Sequence, residues 1–219
     1  MPSSSSARTD REISIRADEF VWDHGGDTGA HRYLQPAICE RLDAARARAV
    51  LDLGCGNGAL TARIAAAGYD VVGCDHSASG IERARAALPG AVFFQHDVNA
   101  ELPAAHTGRY DAVVSAEVIE HLLLPRKLLA NALAALKPGG VFVATTPYHG
   151  YLKNLALALA NRFDDHWHPL RDYGHVKFFS RRTFVRLFEE AGFTDIHYST
   201  AGRIPPLACS MVVAGRKPA

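Results

Sequence analysis

From about residue 29 onward, short apolar runs rich in β-branched residues alternate with stretches of helical spacing. The runs at 50–53 (VLDL), 69–75 (YDVVGCD), 91–95 (AVFFQ) and 110–116 (YDAVVSA), with a fifth inside LKPGGVFVATTP, have the length and composition of buried strands. Between them the pattern predicts an amphipathic lead-in helix over 29–46, a helix over 59–67, and a Ser77-capped helix over 78–87 that ends at Pro89 and Gly90. Pro125 opens another, in which Leu128, Leu129, Ala132, Leu133 and Leu136 recur at helical spacing until Pro138, Gly139 and Gly140 stop it. Ser180 caps a helix over 181–191, with Gly192 at its C-terminal position. The last two strands, near 195–200 and 208–214, lie too close together for a crossover and form an antiparallel pair. Together these elements predict a doubly wound α/β sheet, mostly parallel with a C-terminal antiparallel strand.

In such a sheet the carboxyl ends of the parallel strands share one edge, and here each strand is followed by polar residues. Asp52 closes the first run and leads into Gly54, Gly56 and Gly58; Asp75 closes the second; His96, Asp97 and Val98 follow the third; Glu117, Glu120 and His121 follow the fourth. One acid after a strand reads as a solvated loop residue or a helix cap, but four such placements in succession converge on one crevice. The alternating glycines allow a tight turn and close approach of a ligand to the backbone, and the next helix aims its unpaired N–H groups at an anionic group. The turn alone is ambiguous, since Gly54, Gly56 and Ala59 satisfy GxGxxA while Gly54, Gly56 and Gly58 satisfy GxGxG. A nicotinamide reading falls behind because no second domain is visible for a hydride acceptor.

Composition narrows the picture. At 219 residues and 48% hydrophobic, the chain reads as one compact domain over 13–219, preceded by a polar tail at 1–12 that is expected to be disordered and lacks the apolar segment of a secretion signal. A formal charge of +1 gives no broad attraction for DNA, RNA or an anionic membrane. Cys39, Cys55, Cys74 and Cys209 have no paired spacing and read as reduced thiols of a cytoplasmic protein. No stretch approaches the length of a transmembrane helix; the run at 155–160, flanked by Lys153 and Arg162, reads as a helical lid over the active site, with weak membrane-surface contact as the second reading.

The segment EVIEH, residues 117–121, adds a cation site. On a helical turn, positions i, i+3 and i+4 share a face, so Glu117, Glu120 and His121 are expected to aim at one point. Oxygen and nitrogen ligands without thiolate favour Mg²⁺ or Mn²⁺, with Zn²⁺ behind them.

VLDLGCGNG, the acid of VVGCDHS, HDV after the third strand and LKPGGVFVATTP, taken in order, resemble class I S-adenosylmethionine (SAM) methyltransferases over roughly residue 34 to the C-terminus. The resemblance implies a Rossmann-like fold, with Asp52 to Gly58 holding the methionine amino and carboxylate groups, Asp75 the ribose, and Asp97 with Val98 the adenine; Arg32 aligns loosely with a residue reaching the cofactor carboxylate. EVIEHL is similar to the ExxEH motif of ubiquinone-biosynthesis O-methyltransferases and small-RNA 3′-terminal 2′-O-methyltransferases. A histidine in a segment like GHVKFFS completes the metal shell of the RNA group, which makes His175 a fourth ligand here.

Residues 148–177 form an insertion over the strand ends and the natural substrate cover. It holds His149, His166, His168 and His175; His149 and His121 are the candidate proton acceptors, and His166 with His168 the weaker candidate for an accessory site. The leading expectation is a metal-assisted O-methyltransferase acting on a catechol, quinol or glycan hydroxyl. An RNA-terminal enzyme comes next, and a non-catalytic SAM-binding protein third.

Overall fold

The computed structural model describes residues 29–219 except 168, 169, 171 and 206, without the side chains of 165 and 166. The expected tail at 1–12 and the accessory pair His166 and His168 therefore lie outside what is described.

In chain order the elements are α1 (His31–Ala44), β1 (Ala49–Leu53), α2 (Ala59–Ala66), β2 (Asp70–Asp75), α3 (Ala78–Ala87), β3 (Val92–Gln95), β4 (Tyr110–Ala116), α4 (Pro125–Ala135), β5 (Leu136–Pro147), α5 (Tyr151–Leu159), α6 (Phe163–Trp167), α7 (Arg181–Glu190), β6 (Thr194–Ala201) and β7 (Ser210–Arg216). Seven strands form one sheet in the order β3-β2-β1-β4-β5-β7-β6. The first five are parallel, and β7 runs antiparallel to both β5 and β6, as the sequence pattern requires.

Both faces of the sheet are covered, which is why its central strands read as continuous apolar runs. Val50, Ala112, Val114, Val141, Val143, Val212 and Ala214 pack with Leu34, Ile38 and Leu42 of α1 and Leu60 and Ile64 of α2. Their neighbours Leu51, Leu53, Val113, Phe142, Ala144, Met211 and Val213 point the other way, where α4 brings Leu128, Leu129 and Ala132 and α7 brings Phe184, Leu187 and Phe188. Two helices start on the expected hydroxyl caps: Ser77 Oγ accepts from the Gly80 amide at 3.2 Å, and Ser180 forms a reciprocal capping box with Thr183.

One boundary differs from the periodicity. Leu136 continues the helical spacing of α4, yet its backbone is extended (φ −73°, ψ 139°) and it pairs with Tyr110 as the first residue of β5. Pro138 restricts the residue before it to extended conformations, so the helix ends early and Leu136 is recruited by the neighbouring strand.

On the α7 face, Phe188 lies 5.1 Å from Phe142 and 5.3 Å from Phe193 by ring centroids, fully buried. Phe188→Ala is expected to lower the unfolding free energy by about 3–5 kcal/mol, read as a shifted chemical-denaturation midpoint at unchanged slope.

Candidate active site

β2 and β3 lie on one side of β1, and β4 and β5 on the other, so the strand order reverses at the β1/β4 boundary. Connections leave these strands in opposite directions and open a crevice at their carboxyl ends. In this chain the crevice is a cleft of about 920 Å³. Asp52, Gly54, Gly56, Asp75, Asp97 and Val98 line it on the β1–β3 side, and Glu117, Val118 and His121 line it beyond β4. The residues expected to hold a cofactor thus face one space, with Gly58 standing behind its wall.

Gly54 and Gly58 are required by packing as well as by the turn. Both have left-handed backbones (φ 90° and 76°); a Cβ at Gly54 would lie 2.5 Å from Val118, and one at Gly58 2.7 Å from Ala84 of α3. Gly56 donates its amide to Asp75 Oδ2 at 2.9 Å, while Asp75 Oδ1 accepts from the Ser77 amide at 2.9 Å. The acid at the end of β2 is thereby clamped against the glycine turn.

Asp52 is buried beneath the turn and accepts a 2.6 Å hydrogen bond from Thr61 Oγ1. Burial pushes its carboxyl up to about 7, only partly opposed by Thr61, and the Asp75 charge adds to the rise. A cationic ammonium is the natural complement of such a group. At the opposite end, Asp97 Oδ1 accepts from the backbone and side chain of Asn99. The loop there is fixed by Asn131 of α4, whose Nδ2 reaches the carbonyls of Val98 (2.9 Å) and Ala100 (3.0 Å) and whose Oδ1 meets His96 Nε2 at 3.1 Å. Sequence reading passed over Asn131, although a polar residue on the buried stripe of Leu128 and Ala132 is a legible signal.

The EVIEH segment is not one helical turn. Only Ile119–His121 form a short 3₁₀ turn, and Glu117 precedes it with a left-handed backbone (φ 56°). The shared-face geometry therefore fails for Glu117. The bend turns its carboxylate to Thr145 Oγ1, which donates at 2.8 Å, and to Ser210, while Glu120, His121 and His175 come together with their ligand atoms within 4.8 Å of one another. Among the described residues, that trio is the one cluster of metal-ligating side chains.

Backbone hydrogen bonds bring His175 there: the amides of Val176 and Lys177 both donate to the Glu120 carbonyl, at 2.8 and 2.9 Å. His121 Nδ1 lies 2.9 Å from the Tyr173 carbonyl, which fixes the proton on that nitrogen and the ring's lone pair on Nε2. Glu120 is 1% exposed; Oε2 accepts from Thr146 Oγ1 at 3.0 Å. Its Oε1 has no hydrogen-bond partner among the described residues and lies 4.0 Å from His175 Nε2. Burial, with repulsion from Glu117 behind it, drives the Glu120 carboxyl well above the usual carboxylate range. A buried oxygen without a hydrogen bond, beside two imidazoles, fits a divalent cation.

Two expectations fare differently. His149 does not line the cleft: its ring stacks on Trp167 (centroids 4.9 Å apart) and meets Phe178 edge-on at 5.4 Å. Arg32 is exposed on α1, and its neighbour His31 faces the cleft instead. Cys55 and Cys74 are unpaired and buried, and burial raises both thiols, which leaves them unsuited to nucleophilic chemistry.

Residues 29–198 match a protein family described as a methyltransferase domain. The chain belongs to this family, within the class I SAM-dependent methyltransferases. Among curated relatives, a ubiquinone biosynthesis O-methyltransferase of Cereibacter sphaeroides is 33% identical over 67% of the chain and 60% of its own length. One from Methylobacterium nodulans is 28% identical over 85% of the chain and 83% of its own. The chain thus spans only about three fifths of the first of these relatives. Solved structures agree on the fold: the methyltransferase domain of bacterial CtHen1-CN superposes with a TM-score of 0.64 at 20% identity, over 85% of the chain and 97% of that domain. The [4+2]-cyclase SpnF reaches 0.67 at 17% identity, over 91% and 86%. So similar a fold in a methyltransferase domain and a cyclase shows how little the fold alone says about the reaction.

Two outcomes are expected of this methyltransferase domain. Asp52 and Glu117, both raised to about 7, and Glu120, also raised, keep protons in the folded state that an unfolded chain releases near pH 4. Stability of the ligand-free protein therefore falls as pH rises from about 4 to 7, by at least about 1 kcal/mol per pH unit, and Asp52→Asn flattens the slope in denaturation curves. Asn131→Leu, which releases the loop at Val98, weakens S-adenosylhomocysteine binding about tenfold by isothermal titration calorimetry.

Proposed function

We propose that the chain is a SAM-dependent O-methyltransferase whose acceptor is a hydroxyl of a small molecule, a catechol or quinol first and a glycan second, assisted by Mg²⁺ or Mn²⁺. One residue supports this most: His121 both lines the cofactor cleft and belongs to the Glu120–His121–His175 cluster, so the cofactor and the cation would share a wall.

Asp52 would meet the methionine ammonium, the Gly54–Gly56–Gly58 turn its carboxylate, Asp75 the ribose, and Asp97 with Val98 the adenine. Glu120 Oε1, His121 Nε2 and His175 would hold the ion. When bound, it supplies a charge that lowers the acceptor hydroxyl below the value of about 10 usual for a phenol. Glu117, held by Thr145, serves beside the cluster and repels Glu120, which keeps a cation in demand. With its Nδ1 proton donated to Tyr173, His121 acts as a ligand and not as a base; His149, set in its aromatic stack, orders the cover, and the acceptor proton leaves to water at the cleft mouth. Alignment of oxygen and methyl at about 3–3.5 Å would contribute on the order of 7–11 kcal/mol in favourable cases.

One observation favours the RNA reading: Arg181, Arg182 and Arg186 line a groove of about 570 Å³ between α7 and β6. Glu189 lines the same groove and Glu190 pairs with Arg186 at 2.8 Å, which weakens its pull on phosphates.

Transfer of a labelled methyl from SAM to 3,4-dihydroxybenzoate, against a duplex RNA with a free 3′ end, tests the proposal. Glu120→Gln is expected to lower kcat/KM for the catechol about 100-fold, as chelation does for the wild type, with SAM affinity within about twofold. Normal turnover by the variant ends the metal role; transfer to RNA alone selects the second reading; transfer to neither leaves a binding protein.

A further inference from the structure

β6 closes the sheet on one side, and its outer edge is open. It pairs with β7 alone, in regular register from His197 opposite Ala214 to Ala201 opposite Ser210, and among the described residues no strand lies on its other side. Sheets commonly blunt such an edge with a lysine, a proline, an inward-pointing charge or a bulge. β6 carries one of these devices at its start, a register break between Thr194 and His197 with Asp195 left-handed (φ 47°). Beyond the break, residues 197–201 (HYSTA) hold no acid, lysine or proline, and Tyr198 and Thr200 are good strand formers. That stretch can accept a further strand.

The groove of about 570 Å³ beside α7 follows this edge. Ile196, His197 and Tyr198 all line it, and consecutive strand residues point to opposite faces, so it runs along the backbone edge and not over one face of the sheet. Of the acids around it, Glu190 is taken by Arg186 and Arg126, at 2.8 and 2.6 Å, and Asp195 lies 3.7 Å from Arg216. Glu189 stands about two helical turns along α7 from Arg181 and Arg182. Those two arginines are exposed, and among the described residues neither has an acidic partner; Arg181 instead rests over the Tyr198 ring, its Cζ 4.7 Å from the centroid. A guanidinium held by a ring keeps its N–H edge available to a carboxylate. Both also occupy the first turn of α7, where the helix dipole disfavours cations and no acid offsets them. The capping box of Ser180 and Thr183 already closes that helix start, so the arginine pair is what seeks an anion.

Main-chain donors and acceptors alternating along β6 thus lie beside unpaired cationic side chains, and this pairing of features separates the candidate occupants. A phosphodiester backbone carries acceptors only, so it meets the strand's carbonyls unfavourably. A second copy joined β6 to β6 would bring the two arginine pairs together. An extended peptide satisfies donors and acceptors alike, and acids at every second position fall on one of its faces. We propose that β6 and α7 form a docking site for an acidic extended segment of a partner protein, which adds an eighth strand to the sheet and sets its carboxylates against Arg181 and Arg182. β5 and β7 separate this edge from β4, and the groove shares no lining residue with the cofactor cleft, so the site stands whichever hydroxyl is methylated.

Fluorescence anisotropy of the full chain with a labelled octapeptide of alternating glutamate and valine tests it. Three further probes are compared: the same peptide with lysine for glutamate, the acidic peptide N-methylated throughout so that its backbone cannot donate, and an octamer of uridine RNA. The acidic peptide is expected to bind at least about tenfold more tightly than any of the three and to slow hydrogen exchange at residues 196–200. Arg181→Glu combined with Arg182→Glu weakens it about tenfold, while S-adenosylhomocysteine affinity is unchanged and the melting temperature holds or rises, since acids suit the first turn of a helix. No binding of the acidic peptide, equal binding of the lysine peptide, or equal binding of the N-methylated one overturns the proposal. So does tighter binding of the RNA, or exchange at 196–200 that slows with protein concentration alone, since the edge then serves a nucleic acid or a second copy.

Discussion

The carbonyl of Glu120 accepts two consecutive amides, those of Val176 and Lys177, and the candidate site depends on this contact. It ties a segment more than fifty positions downstream to the turn after β4, places His175 against Glu120, and carries the Tyr173 carbonyl to His121. Two hydrogen bonds to one acceptor define direction as well as proximity, so the imidazoles meet edge to face at 4.8 Å instead of swinging on separate loops. The sheet beneath is rigid because both faces are packed, and that rigidity passes to the turn through Thr145 and Thr146 at the end of β5. Scaffold and site are thus joined by short polar links at one strand end.

Most of the fold was legible because its rules are local and periodic. Fully covered parallel strands demand apolar runs, capping demands Ser77 and Ser180, and a short connection demands the antiparallel pair at the C-terminus. The gathering of Asp52, Asp75 and Asp97 along one cleft was legible for a related reason: acids directly after parallel strands sit on one edge whatever the details of their loops. Leu136 was misplaced because helical spacing continues through it, while the restriction imposed by Pro138 acts one residue earlier than the proline itself. At EVIEH, spacing suggested three ligands on a face, yet a face exists only where the backbone is helical. Glu117 still belongs to the strand end, and its neighbour Thr145 was invisible from 28 positions away.

The two polar halves of the cleft solve an electrostatic problem in opposite ways. Asp75 has both oxygens occupied by backbone amides, which hold it in place as an acceptor. Asp52 and Glu120 are instead buried with few donors, and such groups are satisfied best by a cation, in the proposed reading an ammonium for one and a metal for the other. The protein stores this demand in its ligand-free state, supported by the packed layers on either side.

The left-handed backbone at Glu117 has a consequence for anyone reading its side chain by substitution. A residue with a Cβ costs about 1 kcal/mol or more in that conformation, and a β-branched one more still. Replacement by alanine keeps the torsional penalty while deleting the carboxylate, whereas glycine deletes both, so comparing the two separates what the acid does from what the bend does. Gly, Asn and Asp can follow the chain around this corner at little torsional cost, whereas valine or isoleucine would strain it and loosen the turn that carries His121 to its carbonyl.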